Sequence, residues 1–535
     1  MSASNRLAAV GAVGRLAAAD YAVLVVYLGA LIAMGWWFSR REKSTDDFFR
    51  GGRRVPWWAA GLSIFGTALS AITYVAIPGM AFGGDWTMLV ASVSGILLVP
   101  VVVGVYIPFY RRLDVTTPYE YLEKRFSTPV RLLGSAQWVL FQFARMSIVL
   151  YLPSAALSAV TGMNVFACIV VMGVLATLYT VLGGIEAVIW TDVLQVIVLM
   201  GGAVISVVYI ACHVDGGLTG IIATAADAGK LHTFDWRWDY TAAVVWVMAV
   251  GGAVNNFSAY TTDQALVQRY MSTPTLRQSR AAIWTSALGG IPTGLLFFFL
   301  GTALWAFYRQ HAGLLPADVD NDRIFPVFIV QQLPVGLSGL LIAGVFAAAM
   351  SSIDSGVNSI SAAVTTDFIR RFRPGATEAR MLVLARVLTV VIGAIGTGMA
   401  LMLATWQIES QYKFFMMILG LFGGSLAGLF VLGLFTRRAT WKGALVGAAV
   451  GAAAMAVLRL RPGWLPAGVR VHDMLYGLIG LAVCVGVGYL ASLVLGRQHK
   501  RLAGLTIFTL REPAGQSPSE AGRPRPSADA VPRDS

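Results

Sequence analysis

Charge is what this sequence has least of. Of its 535 residues only 13% are Asp, Glu, Lys or Arg, about half the ~25% of an ordinary soluble domain. So few solvated side chains cannot coat a soluble particle of this size. The 57% hydrophobic content excludes a disordered scaffold as well, because disordered chains have too little apolar surface to bury. Cysteine is scarcer still. Cys168, Cys212 and Cys484 all lie in or at the ends of apolar blocks, with neither metal-site spacing nor an obvious disulfide partner, so packing is their expected role. Acidic residues are outnumbered, 27 against 40 Lys and Arg, for a net charge of +13. In a soluble protein that surplus points to nucleic acid. Here the basic residues sit in short loops between apolar blocks, so the membrane topology rule accounts for them, and no nucleic-acid partner is expected. No P-loop, nucleophile elbow or metalloprotease motif appears, and no enzyme activity is expected.

What is present is a series of apolar blocks near the ~20 residues that a bilayer-crossing helix needs. The lipid bilayer is therefore the expected surrounding of an all-α polytopic membrane protein. Thirteen spans are predicted, at 20–38, 56–82, 86–109, 129–157, 163–183, 186–212, 240–262, 281–308, 336–366, 380–405, 411–436, 443–458 and 473–496. The first is no cleaved signal peptide: no A-x-A-like site follows it, and Trp36, Trp37 and Arg40 close it like a membrane helix. Loops after odd-numbered spans hold 22 Lys and Arg, among them Arg125, Arg131 and Arg269, and the opposite loops hold seven. The richer side is cytoplasmic, which puts the N-terminus outside and the C-terminus inside. Arg459, Arg461 and Arg470 in the last outer loop run against the rule. The Pro- and Ser-rich stretch 511–535 lacks apolar periodicity and reads as a disordered cytoplasmic tail.

Polar groups at membrane depth are costly and mark function. Small and hydroxylated residues crowd the second span, and Pro78-Gly79 weakens its outer part. A helix interrupted here frees carbonyls to face a cation; the plainer alternative is a kinked helix whose hydroxyls bond their own backbone. In the ninth span Ser351, Asp354, Ser355 and Asn358 form one stripe at i, i+3, i+4 and i+7. Oxygen ligands of this kind suit a hard cation such as sodium, and a structural polar seam is the competing reading. Asp192 lies early in the sixth span, where it is either functional or interfacial. Arg145 lies mid-span without a charged sequence neighbour. Its planar guanidinium suits a carboxylate, unless it simply pairs with an internal acid. Asn255-Asn256, beside Gly251-Gly252, predict an unwound, cavity-lining segment of the seventh span.

Longer motifs in the same order carry a resemblance. They are Asp46-Asp47-Phe48-Phe49-Arg50-Gly51-Gly52, Thr117-Pro118-Tyr119-Glu120-Tyr121-Leu122-Glu123, the run Gly183-Gly184-Ile185-Glu186 through Trp190-Thr191-Asp192, Asp263-Gln264 with Val267-Gln268-Arg269-Tyr270, and the Ser351-Ser352 stripe. Over about residues 20–500 the chain resembles the sodium:solute symporters, most of all their bacterial sialic acid branch. The resemblance implies a leucine-transporter-type core of two inverted five-helix repeats, 56–212 and 240–436. An outer segment (1–19) and an extra first helix (20–38) precede the core, and two further helices (443–496) follow it. It implies a sodium site at the carbonyls of Gly66, Leu69 and Ala348 with the hydroxyls of Ser351 and Ser352. It further implies a second sodium at Asp192, Ser351, Asp354 and Ser355, where Asp354 replaces the branch's serine; the two carboxylates either bind sodium more strongly or hold a proton in its place, which leaves the ion count at one or two. Ser70, Thr73 and Arg145 match sugar-acid contacts. Ser92 stands where that branch has glutamine, Ala68 replaces a hydroxylated residue, and Asn255 and Asn256 complete the expected substrate set.

The expected function is sodium-coupled uptake of a small organic solute, carboxylated as in sialic acid, across a bacterial inner membrane, with no obligate protein partner. Uptake of a neutral sugar, polyol or amino acid is the alternative within transport. A transport-dead sensor is the alternative outside it, and the kinase portion that sensors carry is absent from this sequence.

Overall fold

A chain crossing lipid must satisfy its backbone hydrogen bonds within each segment, and helices do so. The computed structural model describes residues 16–69, 71–315, 319–372, 375–406, 411–460, 471–496 and 500–509, and every regular element among them is helical. The stretch 511–535, most of 1–19, and the loop with Arg461 and Arg470 lie outside the described residues.

In chain order the helices are α1 (Ala18–Ser39), α2 (Thr45–Arg50), α3 (Trp57–Ala68), α4 (Ala71–Gly83) and α5 (Leu89–Leu113). Next come α6 (Tyr119–Arg125), α7 (Thr128–Thr161), α8 (Val165–His213), α9 (Gly217–Asp227), α10 (Val245–Thr262) and α11 (Gln264–Met271). They continue with α12 (Leu276–Gln310), α13 (Ile324–Gln332), α14 (Leu337–Ala363), α15 (Glu378–Thr405), α16 (Gln411–Phe435), α17 (Trp441–Leu460) and α18 (Tyr476–Val494). Local chemistry starts and stops them. Asn164 accepts from the amides of Phe166 and Ala167 to begin α8, and left-handed Gly162 ends α7.

Among the described residues nine helices are long and apolar enough to cross a membrane, or ten if the bent pair α3–α4 is one span. The thirteen-span reading counts more segments for physical reasons. Its fifth and sixth spans are the two helical stretches of α8, which run together across a kink at Gly184. The seventh, α10, is too rich in Asn and hydroxyl side chains to pass on apolarity, and the eleventh is α16.

Helix α14 is the axis of the molecule. Every residue from Leu341 to Ala363 is buried, and α14 packs on α1, α7, α8 and α15. Asp20 of α1 pins its N-terminal end, accepting from the amides of Gly336 (2.7 Å) and Gly339 (2.8 Å). Its C-terminal end runs into a π-turn at Val364–Ile369. There Asp367 accepts from Thr117 (2.7 Å), Arg131 (2.7 Å) and Ser135 (2.8 Å).

Several inner arginines are not the solvated loop residues that the charge pattern suggests. Arg125, Arg131 and Arg269 are buried. Arg125 donates to the carbonyls of Gly433, Thr436 and Ala439, the favoured placement of a cation at the C-terminus of α16. Of the cysteines, Cys168 and Cys484 are buried as packing requires, but Cys212 is exposed at the end of α8.

Gly184 has φ 53° and ψ −151°, and a Cβ there would stand 2.8 Å from the Phe48 carbonyl oxygen. Gly184→Ala should therefore cost roughly 1–3 kcal/mol, read as a lowered melting temperature in detergent. Glu42, in the loop after α1, is buried with both carboxylate oxygens unpartnered among the described residues. Burial, then the carboxylates of Glu186 and Asp47, push its pKa from 4.5 up to about 8, against the opposing pull of Arg54 and Arg386. The folded protein thus holds a proton that the unfolded chain releases, so Glu42's contribution is complete at acid pH and is lost as pH climbs towards 8. Thermal melts should show stability falling across that window, and Glu42→Gln should flatten the slope.

Candidate functional site

Two helix breaks face each other in the bundle. The first follows α3: Leu69 (φ −83°, ψ 86°) leaves helical geometry, and α4 continues at an angle of 57°. The break therefore falls at Leu69 rather than at Pro78-Gly79. Pro78 sits within α4, while the small and hydroxylated residues before it leave the backbone without bulky neighbours to enforce the helix. The second break is the single residue Asp263 (φ −78°, ψ 113°) between α10 and α11. The expected unwinding at Asn255-Asn256 is absent. There α10 is continuous, and the Asn256 amide donates to the Gly252 carbonyl of its own helix at 2.9 Å.

At the first break the expected sodium ligands converge in part. The Ser351 hydroxyl reaches the Gly66 carbonyl at 3.2 Å and the Ala348 carbonyl at 3.5 Å. Ser352 is buried, and its hydroxyl has no hydrogen-bond partner among the described residues. A buried hydroxyl left unpaired costs free energy unless something occupies it, and a hard cation among carbonyl and hydroxyl oxygens meets that need. Leu69, also buried, supplies the carbonyl at the break itself.

The second cluster already contains a cation. Arg269, fully buried on α11, donates through Nη2 to Asp192 (3.0 Å) and Ser355 and through Nε to Ser63 (2.6 Å). Ser63 in turn donates to Asp192 at 2.5 Å, and the other Asp192 oxygen has no partner among the described residues. Asp354 lies apart from this pair, accepting from the Tyr179 hydroxyl at 2.5 Å and from the Ser355 hydroxyl at 3.2 Å. Thus Asp192, Ser351, Asp354 and Ser355 share one neighbourhood, with Arg269 wedged between Asp192 and Ser355. The charge pattern had placed Arg269 in a loop; only its position in the Val267-Gln268-Arg269-Tyr270 motif hinted otherwise.

Beside Leu69 lies a cavity of about 190 Å3. From the expected substrate set it gathers Thr73, Ser92 and Asn256, with Ala68 at its edge. It also shows Tyr260, Ser286 and Thr293, hydroxyls whose only sequence signal was polarity within apolar spans. Ser70 lies outside the described residues. Asn255 faces a different, smaller cavity with Asp263 and Trp138. Arg145 is not among the lining residues of either. Its Nη2 donates to the Thr67 carbonyl at 2.7 Å, and its Nη1 stands 3.7 Å from Asp263.

The sequence model of the sodium:solute symporter family matches residues 48–451. The chain is 39% identical over 476 residues to the sodium/sialic acid symporter NanT of Aliivibrio fischeri, covering 88% of this chain and 92% of that one. It is 38% identical over 478 residues to the sodium/sialic acid symporter SiaT of Proteus mirabilis, covering 88% and 94%. Its fold matches the solved substrate-bound, outward-open state of a Na+-coupled sialic acid symporter with a TM-score of 0.83 at 38% identity, covering 90% of this chain and 99% of that one.

Removing the buried guanidinium should be severe. Arg269→Met leaves Asp192 charged and unpaired, a loss of about 3–5 kcal/mol. The double variant Arg269→Met, Asp192→Asn should recover much of it. Thermal unfolding in sodium-free detergent measures both.

Proposed function

The chain belongs to the sodium:solute symporter family, and from that premise we propose that it carries a carboxylated sugar acid of the sialic acid kind inward together with sodium. The observation that carries the sodium part is the Ser351 hydroxyl on the Gly66 carbonyl, beside the break at Leu69 and the unpaired Ser352 hydroxyl. Sodium at Gly66, Leu69, Ala348, Ser351 and Ser352 ties α3 to α14 and so shapes the adjoining cavity. Thr73, Ser92 and Asn256 meet the sugar hydroxyls there, and Asn255 stands behind them. Arg145, at the edge of the same break, takes the carboxylate.

Charge balance within this cluster supports a second ion. Arg145 and Asp263 cancel, but Asp192 and Asp354 face only Arg269, so one negative charge is left among these buried groups. A lone buried charge costs several kcal/mol, and sodium at Asp192, Ser351, Asp354 and Ser355 removes that cost. Energetics agree. One charge crossing 100 mV yields about 2.3 kcal/mol, and a tenfold gradient adds about 1.4. With a monoanion, one sodium retains only the chemical gradient, about tenfold accumulation. Two sodiums retain about 5.1 kcal/mol, or several thousandfold.

The protein crosses a bacterial inner membrane many times, with its N-terminus outside and its C-terminus in the cytoplasm, as the surplus of Lys and Arg on the loops of one side supports. The repeats at 56–212 and 240–436 each open on a broken helix, α3–α4 and α10–α11, as a pair of inverted repeats around one midplane site would. Rocking of one bundle against the other moves the solute without covalent chemistry. The Arg145–Asp263 contact favours one competing reading, in which the arginine is permanently paired and the solute is a neutral sugar or polyol.

Proteoliposome uptake of labelled sialic acid, with and without an inward sodium gradient, tests the proposal. Uptake should depend on sodium and be outcompeted by organic acids rather than neutral sugars; sodium-independent uptake overturns it. Arg145→Ala should abolish uptake of the acid while sodium still raises the melting temperature. Asp354→Ser, which restores the branch's residue and removes one carboxylate, should raise the half-saturating sodium concentration.

A further inference from the structure

The residue at the second helix break has two roles at once. One Asp263 oxygen, Oδ1, accepts from the Ala265 amide at 2.9 Å and from the Trp138 indole at 3.1 Å. It thereby caps α11 and ties it to α7. The other, Oδ2, faces Arg145 Nη1 at 3.7 Å, an ion pair too long to be a good hydrogen bond. Arg145 is anchored on its far side to the Thr67 carbonyl, in the last turn of α3 before the first break. The guanidinium thus spans both breaks.

Arg145 also has capacity to spare. Of its five N–H donors one makes a hydrogen bond among the described residues. Its side chain keeps 12% exposure, and the 3.7 Å pair with Asp263 is too long to satisfy Nη1 as a hydrogen bond. Beyond Asp263, α11 carries Gln268, bonded to the Phe49 carbonyl and to Asn358, and Arg269, bonded to Asp192, Ser63 and Ser355. Whatever pulls on the break at Asp263 pulls on the helix that holds the inner half of the bundle together.

We propose that Asp263 is a positioning residue for anion recognition: it is the stand-in counter-ion that holds Arg145 ready between the two breaks and yields the guanidinium to the incoming carboxylate. This rests on the carboxylate reading of the solute. The planar, two-oxygen acid offers Arg145 the paired hydrogen bonds that Asp263, held by its cap, does not reach. Asp263 keeps its cap on α11 throughout and loses only its ion pair, so binding of the acid changes the force at the head of α11. Competition from Asp263 also lowers affinity for the acid and so favours its release on the inner side.

The test is Asp263→Asn in the full-length chain, because asparagine keeps an oxygen for the α11 cap and removes only the charge. Binding and uptake are measured for sialic acid and for its carboxyl methyl ester. In the wild type the acid should bind better than the ester. In Asp263→Asn the KM for the acid should fall roughly tenfold, as for removal of a like charge a few ångströms away, kcat should fall with it, and affinity for the ester should not change. Asp263→Glu, which keeps the charge, should keep the wild-type ratio of acid to ester. If the wild type prefers the acid but Asp263→Asn shifts acid and ester equally, or neither, the positioning role is wrong while the carboxylate reading stands. If the wild type does not distinguish acid from ester, the carboxylate reading itself falls and takes this inference with it.

Discussion

The buried pair between Asp192 and Arg269 is the contact around which the inner half of the molecule is organised. Both side chains are fully shielded, at a depth where an isolated charge is far more costly than any packing contact can repay. They come from α8 and α11, and Ser63 of α3 and Ser355 of α14 complete the group. Four helices from both halves of the chain are therefore held by one charge pair. Such a pair is tolerated only when every partner is present.

The broken helices follow from the same concern with unpaired polar groups. At Leu69 the helix gives up its ladder beside hydroxyl-bearing α14, and the freed carbonyls gain partners from Ser351 and Arg145. At Asp263 the side chain replaces the lost ladder by capping α11. In each case the interruption is tolerated in the membrane because protein groups, not lipid, face it. Helix α14, buried along most of its length, is the one that can hold serines, asparagine and aspartate in a row.

Much of this was legible in the residues. Hydropathy located most of the spans, and the spacing of Ser351, Asp354, Ser355 and Asn358 marked the polar face of α14 that the structure buries. Other features were misread for identifiable reasons. Asn255-Asn256 read as a break because two amides in an apolar run usually need outside partners, yet one bonds its own helix and the other faces a cavity. Pro78 was taken as the weak point of the second span, although a proline within a helix removes one bond and bends it, while the actual interruption needed only small side chains and a competing set of partners. Arg269 was counted with the loop cations because it follows an apolar block, and no local rule reveals that α11 folds back into the bundle.

The sequence by itself determined what is set by composition and periodicity: an all-helical chain that lives in lipid, and which helix carries the polar stripe. These depend on transfer of each segment from water to hydrocarbon, a local property. Only the tertiary structure decided which charges meet. Arg269 is separated in sequence from Asp192, and Arg145 from both Thr67 and Asp263, and no pattern along the chain encodes those distances. The pairing of buried charges is fixed by how helices from both halves pack, because each charge accepts whichever partner the packed bundle brings within reach.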